Sequence, residues 1–197
     1  MERDPFKEYL RASEPDKANR SYIWSTAIGL QAVDGLSPSD YLLDTAVKNI
    51  EGDITFDEAK NLIDSYYANN HMVSDEARTE EADKVSSRIA EILSEEAFSF
   101  SPNEYIAIHR RLFQGIYKYA GKIRDYNITK KEWVLDGETV LYGSASELRA
   151  TLDYDFSQER AFSYKGLSMD EIIHHLAVFV SRLWQIHIFG EGILNHI

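Results

Sequence analysis

Apolar residues recur at three- and four-residue steps through most of the chain, and that period predicts helices. Over 21–33, Tyr22, Ile23, Ala27, Leu30 and Val33 form one such series, with Gly35 behind it as a stop. Ser37-Pro38-Ser39-Asp40 reads as the polar opening of a second helix carrying Tyr41, Leu42, Thr45 and Ala46, which Gly52 ends. Asp53 or Thr55 can cap a third helix over 56–67. Each of these short helices buries one stripe only, so the module they form needs something larger to pack against. Residues 75–94 are strongly charged, with Val85, Ile89, Ile92 and Leu93 on one face of an amphipathic helix. Ser101-Pro102-Asn103-Glu104 supplies a serine cap, a first-turn proline and an acid at the positive end of the dipole. The helix that follows carries Tyr105, Ile108, Leu112, Phe113 and Ile116 and is expected to run to Ala120-Gly121.

The period changes over 122–143. Trp133-Val134-Leu135 and Thr139-Val140-Leu141-Tyr142 are two apolar runs around Asp136-Gly137, the strongest short-range signal for a β-hairpin. Residues 144–155 and 168–185 return to the helical pattern. In the last of these, Ile172, Ile173, Leu176, Val178, Phe179, Val180 and Leu183 make the helix apolar nearly all round, which predicts the most buried helix of its domain. The expected fold is all-α with a single hairpin. A small helical module over 1–70 precedes a larger domain over 71–197.

Composition narrows the chemistry. Hydrophobic residues are 44% of the chain and charged residues 27%, enough for a core. A formal charge of −12 opposes a nucleic-acid backbone as partner while leaving room for a nucleotide in a local electropositive pocket. The absence of cysteine removes disulfides and thiolate metal sites. No apolar run has the length of a signal-peptide core or a membrane span, so the expectation is a cytoplasmic protein without a membrane partner. His174 and His175 have neither the four-residue spacing of a zinc pair nor a facial-triad pattern. His109 reads as a surface or packing residue.

The most informative stretch follows the last helix: His187-Ile188-Phe189-Gly190-Glu191-Gly192. A histidine there can take a proton near neutral pH. A carboxylate can hold Mg²⁺, and flanking glycines let backbone amides approach phosphate oxygens. The same residues also fit an ordinary loop with a capping histidine and a surface glutamate.

His-x-Phe-x-Glu-Gly resembles the first half of the motif of the Fic (filamentation induced by cAMP) family, His-Pro-Phe-x-(Asp/Glu)-Gly-Asn-Gly-Arg-x-x-Arg. Ile128 to Tyr142 is similar to that family's flap, the hairpin that aligns a target segment beside the nucleotide, and Tyr119-Ala-Gly-Lys-Ile-Arg124 resembles the approach to it. The resemblance implies a Fic-type helical bundle and a protein adenylyltransferase, which moves AMP from ATP to a Ser, Thr or Tyr hydroxyl of a target protein. On that reading His187 is the general base, Glu191 holds Mg²⁺, Phe189 plugs the core beneath the loop, and Gly190 and Gly192 begin the phosphate-binding turn. The flap would comprise Lys131, Glu132, Trp133, Val134, Leu141 and Tyr142. Mg²⁺ and ATP are the implied cofactor and co-substrate.

The pattern departs after Gly192, where Ile193-Leu194-Asn195 stands for Asn-Gly-Arg, and Ile188 replaces the proline. Asn195 stands at the first motif arginine, and the reading expects both arginines to be missing, so that a triphosphate would lack its bidentate donors and transfer would be weak. Residues 19–67 are similar to the small antitoxin of the Bartonella-type Fic toxin, here fused in front. The resemblance makes Asp34 and Gly35, in Leu30-Gln-Ala-Val-Asp34-Gly35, the counterpart of the inhibitory Glu-Gly that blocks the ATP γ-phosphate, with aspartate in place of glutamate. Asp34 equally fits a polar residue before a helix-ending glycine. The alternative function is a non-catalytic module that keeps the flap as a peptide-docking edge.

Overall fold

The computed structural model describes residues 5–12, 14–69, 77–131 and 139–190. The described chain is mostly helical, and its contacts divide it into two compact units, Met1–Ala97 and Phe98–Ile197. The division lies beyond the boundary expected near residue 70, because the amphipathic helix of 75–94 packs within the first unit.

That unit comprises α1 (Lys7–Ala12), α2 (Pro15–Val33), α3 (Asp40–Glu51), α4 (Phe56–Asn69) and α5 (Ala77–Leu93), with α5 lying on α2 and α4. Helix α2 begins upstream of the apolar series because Pro15 opens it with Asp16 in the first turn. Of that series, Tyr22, Leu30 and Val33 turn out exposed. The stripe that buries is Ile23, Trp24, Ala27 and Gln31, one helical face at steps of one, three and four. Ser39 caps α3 by accepting from the Leu42 amide at 3.1 Å, and Gly52 ends it in the left-handed region at φ 92°.

Two polar networks knit this core. Trp24 donates its indole N–H to the Asn49 Oδ1 at 2.9 Å, and the Asn49 amide donates to the Ile54 carbonyl at 2.9 Å. Asp83 on α5 is fully buried and accepts from the Ser39 amide at 2.9 Å, the Ser39 hydroxyl at 2.5 Å and the Tyr67 hydroxyl at 2.7 Å. One carboxylate thus ties α5 to the start of α3 and the end of α4. Burial raises the pKa of both Asp83 and Tyr67, and the donors to Asp83 oppose that rise.

The second unit comprises α6 (Pro102–Phe113), β1 (Thr129–Lys131), β2 (Thr139–Leu141), α7 (Leu148–Ala161) and α8 (Met169–Ile186). Ser101 caps α6 through the Glu104 amide at 3.1 Å. The helix stops at Phe113, short of the expected Ala120, because the chain turns into the left-handed region at Gly115, φ 79°. Strands β1 and β2 pair antiparallel, with Thr129 opposite Leu141 and Lys131 opposite Thr139. The described first strand is therefore Thr129–Lys131, while Trp133–Leu135 and the Asp136-Gly137 turn lie outside the described residues.

Helix α8 opens on a capping box. The Ser168 hydroxyl accepts from the Glu171 amide at 3.4 Å, and the Glu171 carboxylate accepts from the Ser168 amide at 2.8 Å. The expectation that α8 is the most buried helix fails. Only Phe179 and Ile186 are buried, whereas Ile173 and Val180 are 57% and 59% exposed. Helix α7 covers a single stripe of it, so among the described residues the opposite apolar stripe stays open to solvent. The core of this unit is Leu148, Leu152, Phe156, Phe179, Ile186 and Ile188, capped by Tyr105, Leu183 and Phe189.

Candidate functional site

The loop leaving α8 is anchored on both sides. His187 ends the helix with its backbone in the left-handed region, φ 47° and ψ 63°, the one non-glycine residue with positive φ among those described. A β-carbon makes that conformation costly, roughly 1–2 kcal/mol, so the surroundings must impose it. The His187 amide still reaches back to the Leu183 carbonyl at 3.2 Å. Ile188 then buries its side chain in the core, and Phe189 pairs across an isolated β-bridge with Ile123. Ile188 lies in the core of this unit and Phe189 packs against it, partly buried.

Arg124 imposes the turn. Arg124 is buried, and among the described residues each hydrogen bond its guanidinium donates goes to a backbone carbonyl. Nε donates to His187 at 2.8 Å, Nη1 to Tyr126 at 2.5 Å, and Nη2 to Gly143 at 2.5 Å and Ile186 at 3.2 Å. Its own amide donates to the Ile188 carbonyl at 2.9 Å. The last carbonyls of α8 are the negative end of the helix dipole, where a cation is favoured. One side chain therefore fastens the end of α8, the segment after β2 and the 123–127 loop together. Burial lowers the Arg124 pKa.

Phe189 sits under the loop as a plug. Its ring stacks on His109 with centroids 3.6 Å apart and an interplanar angle of 12°, and it lies 5.4 Å from Tyr105. His109 accepts from the Gly121 amide at its Nδ1, 2.9 Å away, which puts the ring proton on Nε2. Burial drives the His109 pKa down to about 4, so at neutral pH it is an uncharged stacking partner. Gly121 must be glycine there: its φ is 66°, and a Cβ would stand 2.5 Å from the Arg110 Cβ.

On the other side, the buried Tyr142 ring lies 4.7 Å from the His187 ring and 5.7 Å from Trp184. The structure thus brings together His187, Phe189, Gly190 and Tyr142. Leu141 is exposed beside them, and Lys131 takes its place in the paired strand β1. A Cβ on Gly190 would stand 2.8 Å from the Tyr126 hydroxyl, so that ring would have to move for any larger residue. Glu132, Trp133, Val134, Glu191 and Gly192 lie outside the described residues. Asp34 and Gly35 belong to the first unit. Asp34 is the C-cap of α2, its carbonyl accepts from Arg78 at 3.1 Å, and Gly35 follows in the left-handed region at φ 68°. They form a helix terminus, which satisfies the plain capping reading of those two residues.

Two residues that organise the loop, Arg124 and His109, stand outside the set of site residues the sequence suggests. The visible signal for the first was a lone arginine closing Tyr119-Ala-Gly-Lys-Ile-Arg124. For the second there was none, because a stacking histidine looks like any other residue on an amphipathic helix. His175 is likewise engaged, its Nε2 2.7 Å from the Glu159 carboxylate and its ring stacked on Phe162 at 3.6 Å. Among the described residues no group of three His, Asp or Glu side chains could hold a metal ion.

No curated protein and no solved structure matches the chain. Residues 99–192, the span that runs from the start of α6 through the anchored loop after α8, match the model of the Fic/DOC family, which supports a Fic domain in the second unit.

Proposed function

We propose that the second unit is built for protein adenylylation, with His187 as general base. The observation that carries the proposal is the enforced left-handed turn at His187, gripped by Arg124 through its carbonyl and by Phe189 through the core. Such a turn costs free energy and is kept where it aims a side chain. In the proposed reaction the imidazole takes the proton of a Ser, Thr or Tyr hydroxyl on a target protein. The hydroxyl oxygen bonds to the α-phosphorus of ATP, and the bond from that phosphorus to the bridging oxygen of the β-phosphate breaks. AMP stays on the target and pyrophosphate leaves. Most of the catalytic effect is positioning and charge neutralisation.

The carboxylate of Glu191 suits Mg²⁺, which takes one or two carboxylates together with phosphate oxygens and water. When bound, the ion would neutralise charge on the phosphates. Lys131, Glu132, Trp133, Val134, Leu141 and Tyr142 would form the flap that lays the target segment alongside, and Gly190 and Gly192 would admit the phosphates. At the position of the motif's first arginine stands Asn195, which offers no bidentate cation. That substitution favours a second reading, a peptide-binding module with little transfer. A calorimetric titration of the full chain with MgATP, repeated on Asn195→Arg, separates the two. The enzyme reading expects measurable MgATP affinity that rises in the variant, and no heat from either protein would leave the peptide-binding module. The first unit is proposed as the inhibitor in the same chain, through Asp34. Asp34→Ala should then raise any AMP transfer, and unchanged transfer would remove that role.

A further inference from the structure

The second unit holds a buried carboxylate that adenylylation does not use. Asp155 on α7 is 7% exposed and stands beside the positive charge of Arg182. Asp155 lines a cavity of about 310 Å³ between α7, the C-terminal half of α8 and the segment after β2, together with Tyr142, Gly143, Thr151, Arg182 and Gln185. Burial pushes the Asp155 pKa up, and the positive charge of Arg182 pulls it back.

The two charged walls choose the ligand. Asp155 only accepts when ionised, and Arg182 only donates. A cation entering the cavity meets Arg182, and an anion meets Asp155, so each gains one contact and suffers one repulsion. A neutral group with N–H on one side and C=O on the other satisfies both walls, and a carboxamide is the smallest such group. The Thr151 hydroxyl already donates to the Glu147 carbonyl at 3.0 Å, which leaves its oxygen as a further acceptor. The volume is at the low end of the range for small-molecule sites, roughly 300–1,000 Å³, suited to a side chain rather than a cofactor. Tyr142 forms one wall and also lies 4.7 Å from the His187 ring, so the cavity adjoins the general base.

We propose that this cavity is a binding site for a neutral carboxamide, and that its occupant is an asparagine or glutamine side chain flanking the acceptor hydroxyl of the target. The carboxamide site stands by itself; its assignment to a target polypeptide rests on the adenylylation reading.

The test is an NMR titration of the full chain with butyramide, butylammonium and butyrate, followed at the Thr151 methyl and the Gly143 amide. Butyramide should bind saturably and more tightly than the two charged probes. Asp155→Asn should weaken it about tenfold by replacing a charged acceptor with a neutral one, and Arg182→Met should weaken it several-fold. The site is overturned if none of the probes moves those signals, if a charged probe binds tightest, or if both variants bind butyramide like the parent. A tyrosine peptide with a neighbouring glutamine is then compared with the same peptide carrying leucine there. A preference for glutamine supports the target assignment. Equal binding, with butyramide still bound, overturns that assignment and leaves the carboxamide site intact.

Discussion

Replacing Arg124 with methionine should unfasten the loop that carries His187 without emptying the core. Methionine keeps most of the stem volume but removes donors to four carbonyls, those of His187, Tyr126, Gly143 and Ile186. A hydrogen bond to a charged group contributes about 1.5–3 kcal/mol net, and a stranded buried acceptor costs about 1–3 kcal/mol. These terms do not add in full. The Ile186 and His187 carbonyls end a helix and can recover water once the loop loosens. Taking one full charged bond and one stranded acceptor gives a loss of about 3–4 kcal/mol, large against a total stability of about 5–15 kcal/mol. Native-state hydrogen exchange reads this locally through the Arg124 amide bonded to Ile188, the Gly143 amide bonded to Gln185, and the His187 amide bonded to Leu183. At a factor of ten for each 1.4 kcal/mol, exchange at these amides should rise at least ~10²-fold. Arg124→Lys should fall between, because a point charge cannot serve several carbonyls in a fork. Exchange within tenfold of the parent at all three amides would refute the clamp.

Two further outcomes follow from buried groups. His109 has an ordinary pKa of 6.5 and a folded pKa of about 4, so the unfolded chain binds the proton first as pH falls. Its contribution is complete above about pH 6.5 and is lost between there and pH 4, worth about 2 kcal/mol after discounting for its partial exposure. His109→Gln, which can still accept from Gly121, should flatten denaturant midpoints across that window, and an unchanged pH slope would contradict the burial argument. Tyr67→Phe in the first unit strands part of the Asp83 carboxylate, which keeps only its Ser39 donors. It should cost about 1–3 kcal/mol in chemical denaturation, and a variant as stable as the parent would mean that Asp83 has no need of that donor.

Helix placement was largely legible because capping chemistry is local. Ser39, Ser101 and Ser168 each cap the helix whose start their neighbours announce, and Gly52 and Gly35 stop theirs in the left-handed region. Burial was less legible. An apolar pattern states which side chains favour a dry contact but not whether a partner surface exists, so α8 reads as central while Ile173 and Val180 stay exposed. In α2 the periodic series mixed two faces, and Trp24 with Gln31 decided which of them turned inward. The loop after α8 was legible in His187, Phe189 and Gly190, which follow one another at the end of the last helical pattern. The clamp was not, because Arg124 reaches residues 19 and about 60 positions away, and no local pattern encodes such carbonyl contacts.

The most direct test of the central claim is transfer from α-labelled ATP with Mg²⁺, using the full chain in a cell lysate. Three proteins are compared: the parent, His187→Ala, and a variant in which Ile193→Asn, Leu194→Gly and Asn195→Arg complete the first arginine turn of the motif. The parent should label proteins weakly, since losing a charged donor at a developing charge commonly costs ~10²–10³ in rate. The completed variant should label strongly, and adding His187→Ala to it should abolish the signal. Strong labelling that survives His187→Ala, or a completed variant no more active than the parent, would contradict the assignment of His187 as the base of an AMP-transferring site.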